Sequence, residues 1–315
     1  MDKFTLSASP HVRSAQSTRR IMTDVLIALL PATACGVYFF GLNALLVIFI
    51  SVAAAIGTEA LIQLAMKKKV TIADGSAAVT GLLLALTLPP LLPGDFYIPL
   101  FGSVFAIAIA KQCFGGLGYN FINPALAARA FLLVSWPTAM TTWTMPLSAI
   151  SSATPLAALK YGGEGVALSP YLDMLLGNVG GSIGETSALA LLIGAVYLLV
   201  RNIINWRIPV VYIGTVALFT WVAGSGGLFA GDALYHVLAG GLILGAFYMA
   251  TDYTTSPMTN KGRVIFAAGC GILTSVIRLW GGYPEGVCYA ILIMNLAVPL
   301  IDRKFRPRVF GGAVK

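Results

Sequence analysis

Apolar residues run through this chain in long stretches, at roughly 21–40, 44–65, 76–88, 97–110, 124–135, 187–200, 208–223, 233–250, 264–280 and 286–301, parted mostly by short polar turns. Several stretches are shorter than the ~20 residues of a full bilayer crossing. Short or broken helices are tolerated at membrane depth where they line protein or a watery site. The pattern predicts an all-α polytopic membrane protein with about ten transmembrane helices. Arg19-Arg20 ahead of Ile21–Leu30 and Pro31-Ala-Thr-Ala34 has the outline of a signal peptide. Asp24 interrupts the short apolar run and apolar sequence resumes through Phe40, so the segment reads as a retained first span.

The two halves resemble each other. Thr80-Gly-Leu-Leu-Leu-Ala-Leu-Thr-Leu-Pro-Pro90 in the third run is similar to Gly240-Gly-Leu-Ile-Leu-Gly-Ala-Phe-Tyr-Met-Ala250 in the eighth, and Phe114-Gly-Gly116 to Trp280-Gly-Gly282, each about 160–166 positions on. Five spans per half would make the repeats face opposite ways, with a site near the membrane midplane at their interface. The chain divides into an N-terminal half at 1–135, a loop at 136–186 and a C-terminal half at 187–315.

Composition fits this picture: 58% of residues are hydrophobic and 10% charged, where soluble domains carry about 25% charged residues. The net charge of +8 could suggest nucleic acid, but its distribution points to topology. With the N-terminus in the cytoplasm, every one of the 20 Lys and Arg falls in a cytoplasmic segment except Arg129, Lys160 and Arg278, as the positive-inside rule requires. Both termini are then cytoplasmic and the basic run Arg303–Arg308 anchors to the lipid surface. The 136–186 loop falls on the outer face, with Trp136, Trp143 and Tyr171 suited to an interface, and with Glu164, Asp173 and Glu185 against Lys160. A loop of that length without obvious secondary structure is usually functional. Cys35, Cys113, Cys270 and Cys288 are scattered without a C-x-x-C and His11 is far from His236, so no metal or disulfide framework is encoded by spacing and buried free thiols are expected.

Three places could carry chemistry. Gly115-Gly-Leu-Gly-Tyr-Asn-Phe-Ile-Asn-Pro-Ala125 combines glycines at Gly115 and Gly116, which allow close backbone approach, with the carboxamides of Asn120 and Asn123. Asn123-Pro124 is equally a helix cap. Arg129 lies within a span, where a charge is costly and calls for a partner; a cofactor phosphate, a lipid headgroup or a buried acid would serve. Asp252, beside Thr251, Thr254, Thr255 and Ser256, could bind a ligand ring or a cation or cap the next segment. Asp24 and Glu59 are candidate coupling-ion or proton residues without a visible partner. The third place is Ser151-Ser152-Ala153-Thr154 before Pro155, a small hydroxylated run that on its own chemistry is an ordinary loop.

Taken together, Asp74-Gly-Ser-Ala77, Leu86-Thr-Leu-Pro89, Phe114–Ala125, Ser151–Ala157 and Ala250-Thr-Asp-Tyr-Thr-Thr-Ser-Pro257 resemble the D subunit of the Rnf ion-translocating electron-transport complex over nearly the whole chain. Much of the pattern is shared with the related B subunit of the sodium-pumping NADH:quinone reductase. The resemblance implies FMN joined by a phosphoester to the Thr of a Ser/Thr-Gly-Ala-Thr motif, which falls on Thr154, with Ser152 standing where Gly is usual and Ser148 where Asp is frequent. A flavin transferase acting outside the membrane would make the bond. The resemblance further implies a noncovalent riboflavin near Asn120, Asn123 and Asp252, and a fold like that of urea and ammonium transporters. It implies the other Rnf subunits, A, B, C, E and G, as partners, the last an outer FMN carrier, and coupling to Na+ or H+ in a bacterial or archaeal cytoplasmic membrane. The rival expectation from the fold alone is a solute channel without a redox cofactor.

Overall fold

The computed structural model describes residues 17–90, 94–148, 150–162, 168–224 and 228–306. His11, Glu164 and Arg308 lie outside the described residues. The described chain is mostly helical, without strands; one isolated antiparallel bridge joins Thr144 and Ser151. The first two apolar runs form two helices that meet at a kink without an intervening loop, together α1 (Thr18–Ala65, 48 residues). Its single break is at Gly41, with φ 65°, a conformation that glycine adopts without steric cost. Next come α2 (Ser76–Thr87), α3 (Tyr97–Ala108) and α4 (Pro124–Ser135), whose start is set by Asn123: the side chain caps two backbone N–H groups and Pro124 takes the first helical position.

The loop at 136–186 is more structured than its sequence suggests. It holds three short helices, α5 (Pro137–Thr141), α6 (Pro155–Tyr161) and α7 (Tyr171–Leu176). Its last part turns into the core: Ile183 N–H donates to Leu88 O at 3.0 Å and Gly184 N–H to Leu86 O at 2.8 Å, at the end of α2. Residues 179–188 are buried, so this stretch is part of the packed body and not a surface loop. There follow α8 (Ala188–Val200), α9 (Arg207–Val222) and α10 (Ala233–Leu238). The run expected as one helix at 233–250 is broken at Ala239–Gly241; it resumes as the short α11 (Leu242–Leu244) and a π turn, Gly245–Met249. Such π segments are frequent at functional sites. The chain closes with α12 (Asn260–Trp280) and α13 (Val287–Lys304). Three helical segments, Thr18–Ala65, Tyr97–Phe114 and Asn260–Trp280, are long and apolar enough to cross a membrane.

α1 packs on α2, α3 and α8; α12 packs on α9 and α13; α4 joins the two groups by its contact with α13. Small residues permit the closest approaches, as in membrane helix packing generally. At Gly194 on α8 an added Cβ would stand 1.9 Å from Ala28 O and 2.3 Å from the Tyr248 hydroxyl. That hydroxyl donates to Leu191 O at 2.8 Å and reaches Ala28 O at 3.3 Å, tying the π turn to α8 and α1. Gly194→Ala is therefore expected to cost about 1–3 kcal/mol by overpacking. Gly214→Ala, with no atom within 4 Å of the new carbon, supplies the control. Thermal denaturation of the two purified variants in detergent checks this; equal melting temperatures would refute the close packing. Of the cysteines, Cys270 and Cys288 are buried, whereas Cys35 is half-buried and Cys113 exposed, correcting the expectation of four buried thiols.

Candidate functional site

Two cavities bear on the candidate residues, and only the first is lined by residues of α4. The first, about 760 Å³ of empty space counting the part open to solvent, is bounded by the N-terminal turn of α1, one face of α2, the 117–125 turn and the π turn. Asn120, Asn123 and Asp252, separated by up to 132 positions in sequence, all line it. Their polar atoms are unequally engaged. Asn123 Oδ1 accepts from Ala125 N–H (3.0 Å) and Leu126 N–H (3.3 Å), and its Nδ2 donates to Met249 O (3.3 Å). The Asn123 carboxamide thus builds the wall and has little left for a ligand. Asp252 Oδ2 accepts from the Thr254 hydroxyl (2.9 Å) and the Thr255 hydroxyl (3.2 Å), forming a local turn. Asn120 differs. Its Nδ2 donates to Thr254 Oγ1 at 3.0 Å and more weakly to Ile122 O, but its Oδ1 is buried with no partner among the described residues. A buried acceptor of this kind carries a desolvation cost that a bound donor removes.

Gly115 and Gly116, expected beside a ligand, shape the turn instead: with φ 115° and 95° they let Gly115 N–H donate to Gln112 O and Gly116 N–H to Lys111 O, and neither lines the cavity. Lys111, expected from the charge pattern in a solvent-facing turn, is buried instead. It is 2% exposed, at the cavity wall, and pairs with Glu59 at 2.9 Å. Asp24 likewise has partners in the Tyr197 hydroxyl (2.8 Å) and Arg201 (3.1 Å).

The second cavity, of about 500 Å³, is lined by Thr154, Leu156, Gly240, Glu185 and Glu285 among others. Thr154 is half-buried and caps α6: its Oγ1 accepts from Ala157 N–H at 3.2 Å, and among the described residues nothing accepts its own O–H. Ser151 and Ser152 hold the approach to it. Ser151 bridges to Thr144, and Ser152 N–H donates to Trp143 O at 2.9 Å while its hydroxyl is buried without a partner. Ala153 is exposed between them. Small side chains here leave the Thr154 hydroxyl open to the cavity.

Arg129 has the partners its position demands, and they are buried acids. Nη1 meets Glu185 at 2.9 Å and Nη2 meets Glu285 at 2.6 Å. Glu285 Oε1 also accepts from Gly241 N–H at 3.0 Å, at the break between α10 and α11. Arg129 itself does not line the second cavity; its two carboxylates do. The other two basic residues on this side are also engaged. Lys160 donates to Ile277 O, Gly281 O and Tyr283 O at the C-terminal end of α12, and burial lowers its pKa. Arg278 donates to His236 O and Ala239 O at the end of α10. Among the described residues no group of three or more His, Cys, Asp or Glu could hold a metal ion.

Residues 5–311 match the NQR2, RnfD, RnfE family. The chain belongs to that family. It is 54% identical to the D subunit of the Na(+)-translocating ferredoxin:NAD(+) oxidoreductase complex of Acetobacterium woodii, across 98% of this chain and 95% of that protein. It is 51% identical to the D subunit of the proton-translocating ferredoxin:NAD(+) oxidoreductase complex of Clostridium ljungdahlii, across 98% and 96%. The D subunit of an ion-translocating oxidoreductase complex of Stutzerimonas stutzeri is 41% identical, across 94% and 92%. Apolar helices in a chain of the NQR2, RnfD, RnfE family make this a multi-pass membrane protein. Sequence reasoning missed Glu285 and the burial of Lys111; the signal for the first was Arg129 itself, a charge in a span that requires a counter-charge.

Proposed function

We propose that this chain is the D subunit of an ion-translocating ferredoxin:NAD+ oxidoreductase complex, and that it carries FMN esterified to Thr154 and riboflavin in the Asn120 cavity. The carrying observation is that α4 links the two cavities, bounding the first directly and reaching the second only through the carboxylates paired with Arg129. The first reaches Asn123–Ala125 and the second is lined by the carboxylates that Arg129 holds. Five residues of helix separate Pro124 from Arg129, a rise of about 7.5 Å. Two redox groups so placed would be close enough to exchange electrons across the protein.

The flavins supply the electron chemistry; the chain binds, orients and shields them. Thr154 offers a hydroxyl reachable from the cavity, with Ser152 and Ala153 leaving room for a transferase. Asn120 Oδ1 offers an acceptor to a ring N–H. The ten-span arrangement as two inverted five-helix repeats, like urea and ammonium transporters, is part of the same reading. So are cytoplasmic termini in a bacterial or archaeal cytoplasmic membrane, the A, B, C, E and G subunits as partners, maturation by a flavin transferase, and Na+ or H+ as coupling ion. The 1–135 and 187–315 halves would be the repeats and 136–186 the FMN-bearing segment.

The engagement of Asn123 sharpens the test of the riboflavin site. Asn120→Leu should lower the affinity for riboflavin about tenfold, the effect of one buried hydrogen bond with its desolvation, while covalent flavin stays. Asn123→Leu removes two capping bonds and should show as a lower melting temperature first. Acid extraction of noncovalent flavin from the purified complex measures the former. Wild-type protein that is colourless and yields no flavin would refute the assignment and favour a solute channel.

A further inference from the structure

We infer that Lys111 is the positioning residue that gives the first cavity its positive charge, alongside the hydroxyl-bonded Asp252 carboxylate on the same lining, with Glu59 as its anchor behind the wall; this rests on the assignment of that cavity to riboflavin. The Lys111 ammonium has three N–H donors. One goes to Glu59 Oε2 at 2.9 Å and another to Ser76 Oγ at 2.7 Å. Lys111 and Ser76 line the cavity, and Glu59 does not. The pair is therefore oriented, cation toward the cavity and carboxylate away from it.

Glu59 is held firmly in that place. Gln112 Nε2 donates to its Oε1 at 2.8 Å, and Gln63 Nε2 approaches the same oxygen at 3.3 Å while also bonding Thr71 at 2.9 Å. Four segments, the last turns of α1, the 71–76 turn, the start of α2 and the turn after α3, are tied into one buried network. A buried ion pair is poor stabilisation in itself, because desolvation of both charges offsets their attraction and apolar residues would serve as well. An oriented pair at a ligand cavity has a second use. It fixes a positive charge where the third N–H can meet a ring carbonyl, and the N-terminus of α2 adds a like-signed dipole. Asn120, on the same lining, supplies an acceptor without a partner among the described residues. The cavity thus presents a donor cation and an acceptor to one uncharged heterocycle bearing both carbonyl and N–H groups.

Electrons entering such a ring add negative charge, so a fixed cation beside it raises its midpoint potential. The test uses the complex purified from cells expressing the full chain. Glu59→Gln with Lys111→Gln removes both charges together and leaves two amides able to bond each other. Expected results are covalent flavin retained on the denatured chain, riboflavin bound about tenfold more weakly, and a lowered midpoint potential of the noncovalent flavin in spectroelectrochemical titration. Lys111→Arg keeps the charge and should restore the potential to the wild-type value; a merely structural lysine would show no such rescue. If the double variant does not accumulate, Ser76→Ala, which frees the ammonium to lean toward Glu59, should lower the potential in the same direction. Unchanged potential and affinity in the double variant, or an equal drop in Lys111→Arg, overturns the inference. Absence of noncovalent flavin from the wild-type complex would instead overturn the riboflavin reading beneath it.

Discussion

Thr154→Val yields a chain that inserts and assembles but carries no covalent flavin, and the complex containing it loses electron transfer. The expectation rests on one oxygen. A phosphoester needs a hydroxyl and valine has none; of the hydroxyls just before it, Ser152 Oγ is buried against Gly180, whose Cβ position would lie 2.3 Å away, and Ser151, which is exposed, lies outside the lining of the second cavity. Thr154 also has a structural duty that the sequence did not reveal. As the N-cap of α6 it contributes about 1 kcal/mol, so valine alters local stability together with chemistry. Thr154→Asn separates the two, because asparagine caps as well as threonine and cannot form the ester. Both variants should lose in-gel flavin fluorescence after denaturation, and only valine should loosen α6, seen as faster amide exchange at Ala157. Fluorescence retained in either variant, or an unmodified Thr154 peptide in mass analysis of the wild type, would sink the assignment.

The apolar runs legible in the sequence reappear as helices because burial in lipid or protein leaves a backbone no alternative to internal hydrogen bonding. The interruptions were less legible. The first two runs are two helices, as the pattern implies, but a single residue of positive φ, Gly41, parts them where a longer turn was expected. Residues 179–188 pack into the core because Ile183 and Gly184 satisfy the carbonyls of Leu86 and Leu88 left open at the end of α2. Nothing in a Gly- and Ser-rich run announces that docking. Charges were the least legible. Lys111 and Arg201 conform to the topological bias, yet each is also half of a specific pair, with Glu59 and Asp24. Partners 52 and 177 positions apart are brought together by tertiary structure alone. At the first cavity, sequence reasoning named Asn120, Asn123 and Asp252, and the structure gathers all three. Only the hydrogen-bond partners distinguish the wall-building Asn123 from Asn120 with its open acceptor.

Arg129→Met should be the most damaging single change outside the flavin sites. Removing the guanidinium leaves buried Glu185 and half-buried Glu285 facing each other without their hydrogen-bonded cation, with, among the described residues, only the buried Arg278 nearby to offset their charge. Breaking a buried pair in this way costs about 3–5 kcal/mol, a large part of the stability of an ordinary domain. The damage reaches the second cavity directly, because these carboxylates line it and Glu285 also receives Gly241 N–H at the α10–α11 break. Lysine cannot replace the fork that spans both acids, so Arg129→Lys should remain destabilised, though less. Neutralising all three groups at once distinguishes charge from shape: Arg129→Met with Glu185→Gln and Glu285→Gln removes the charges of this cluster, leaves Arg278 on its carbonyl partners His236 O and Ala239 O, and should recover part of the lost stability. Yield of assembled protein and melting temperature in detergent, followed by the fluorescence of the covalent flavin, report each step. A single Arg129→Met variant as stable as wild type would show that the two carboxylates are already compensated without it, and the ionic core would lose its central member.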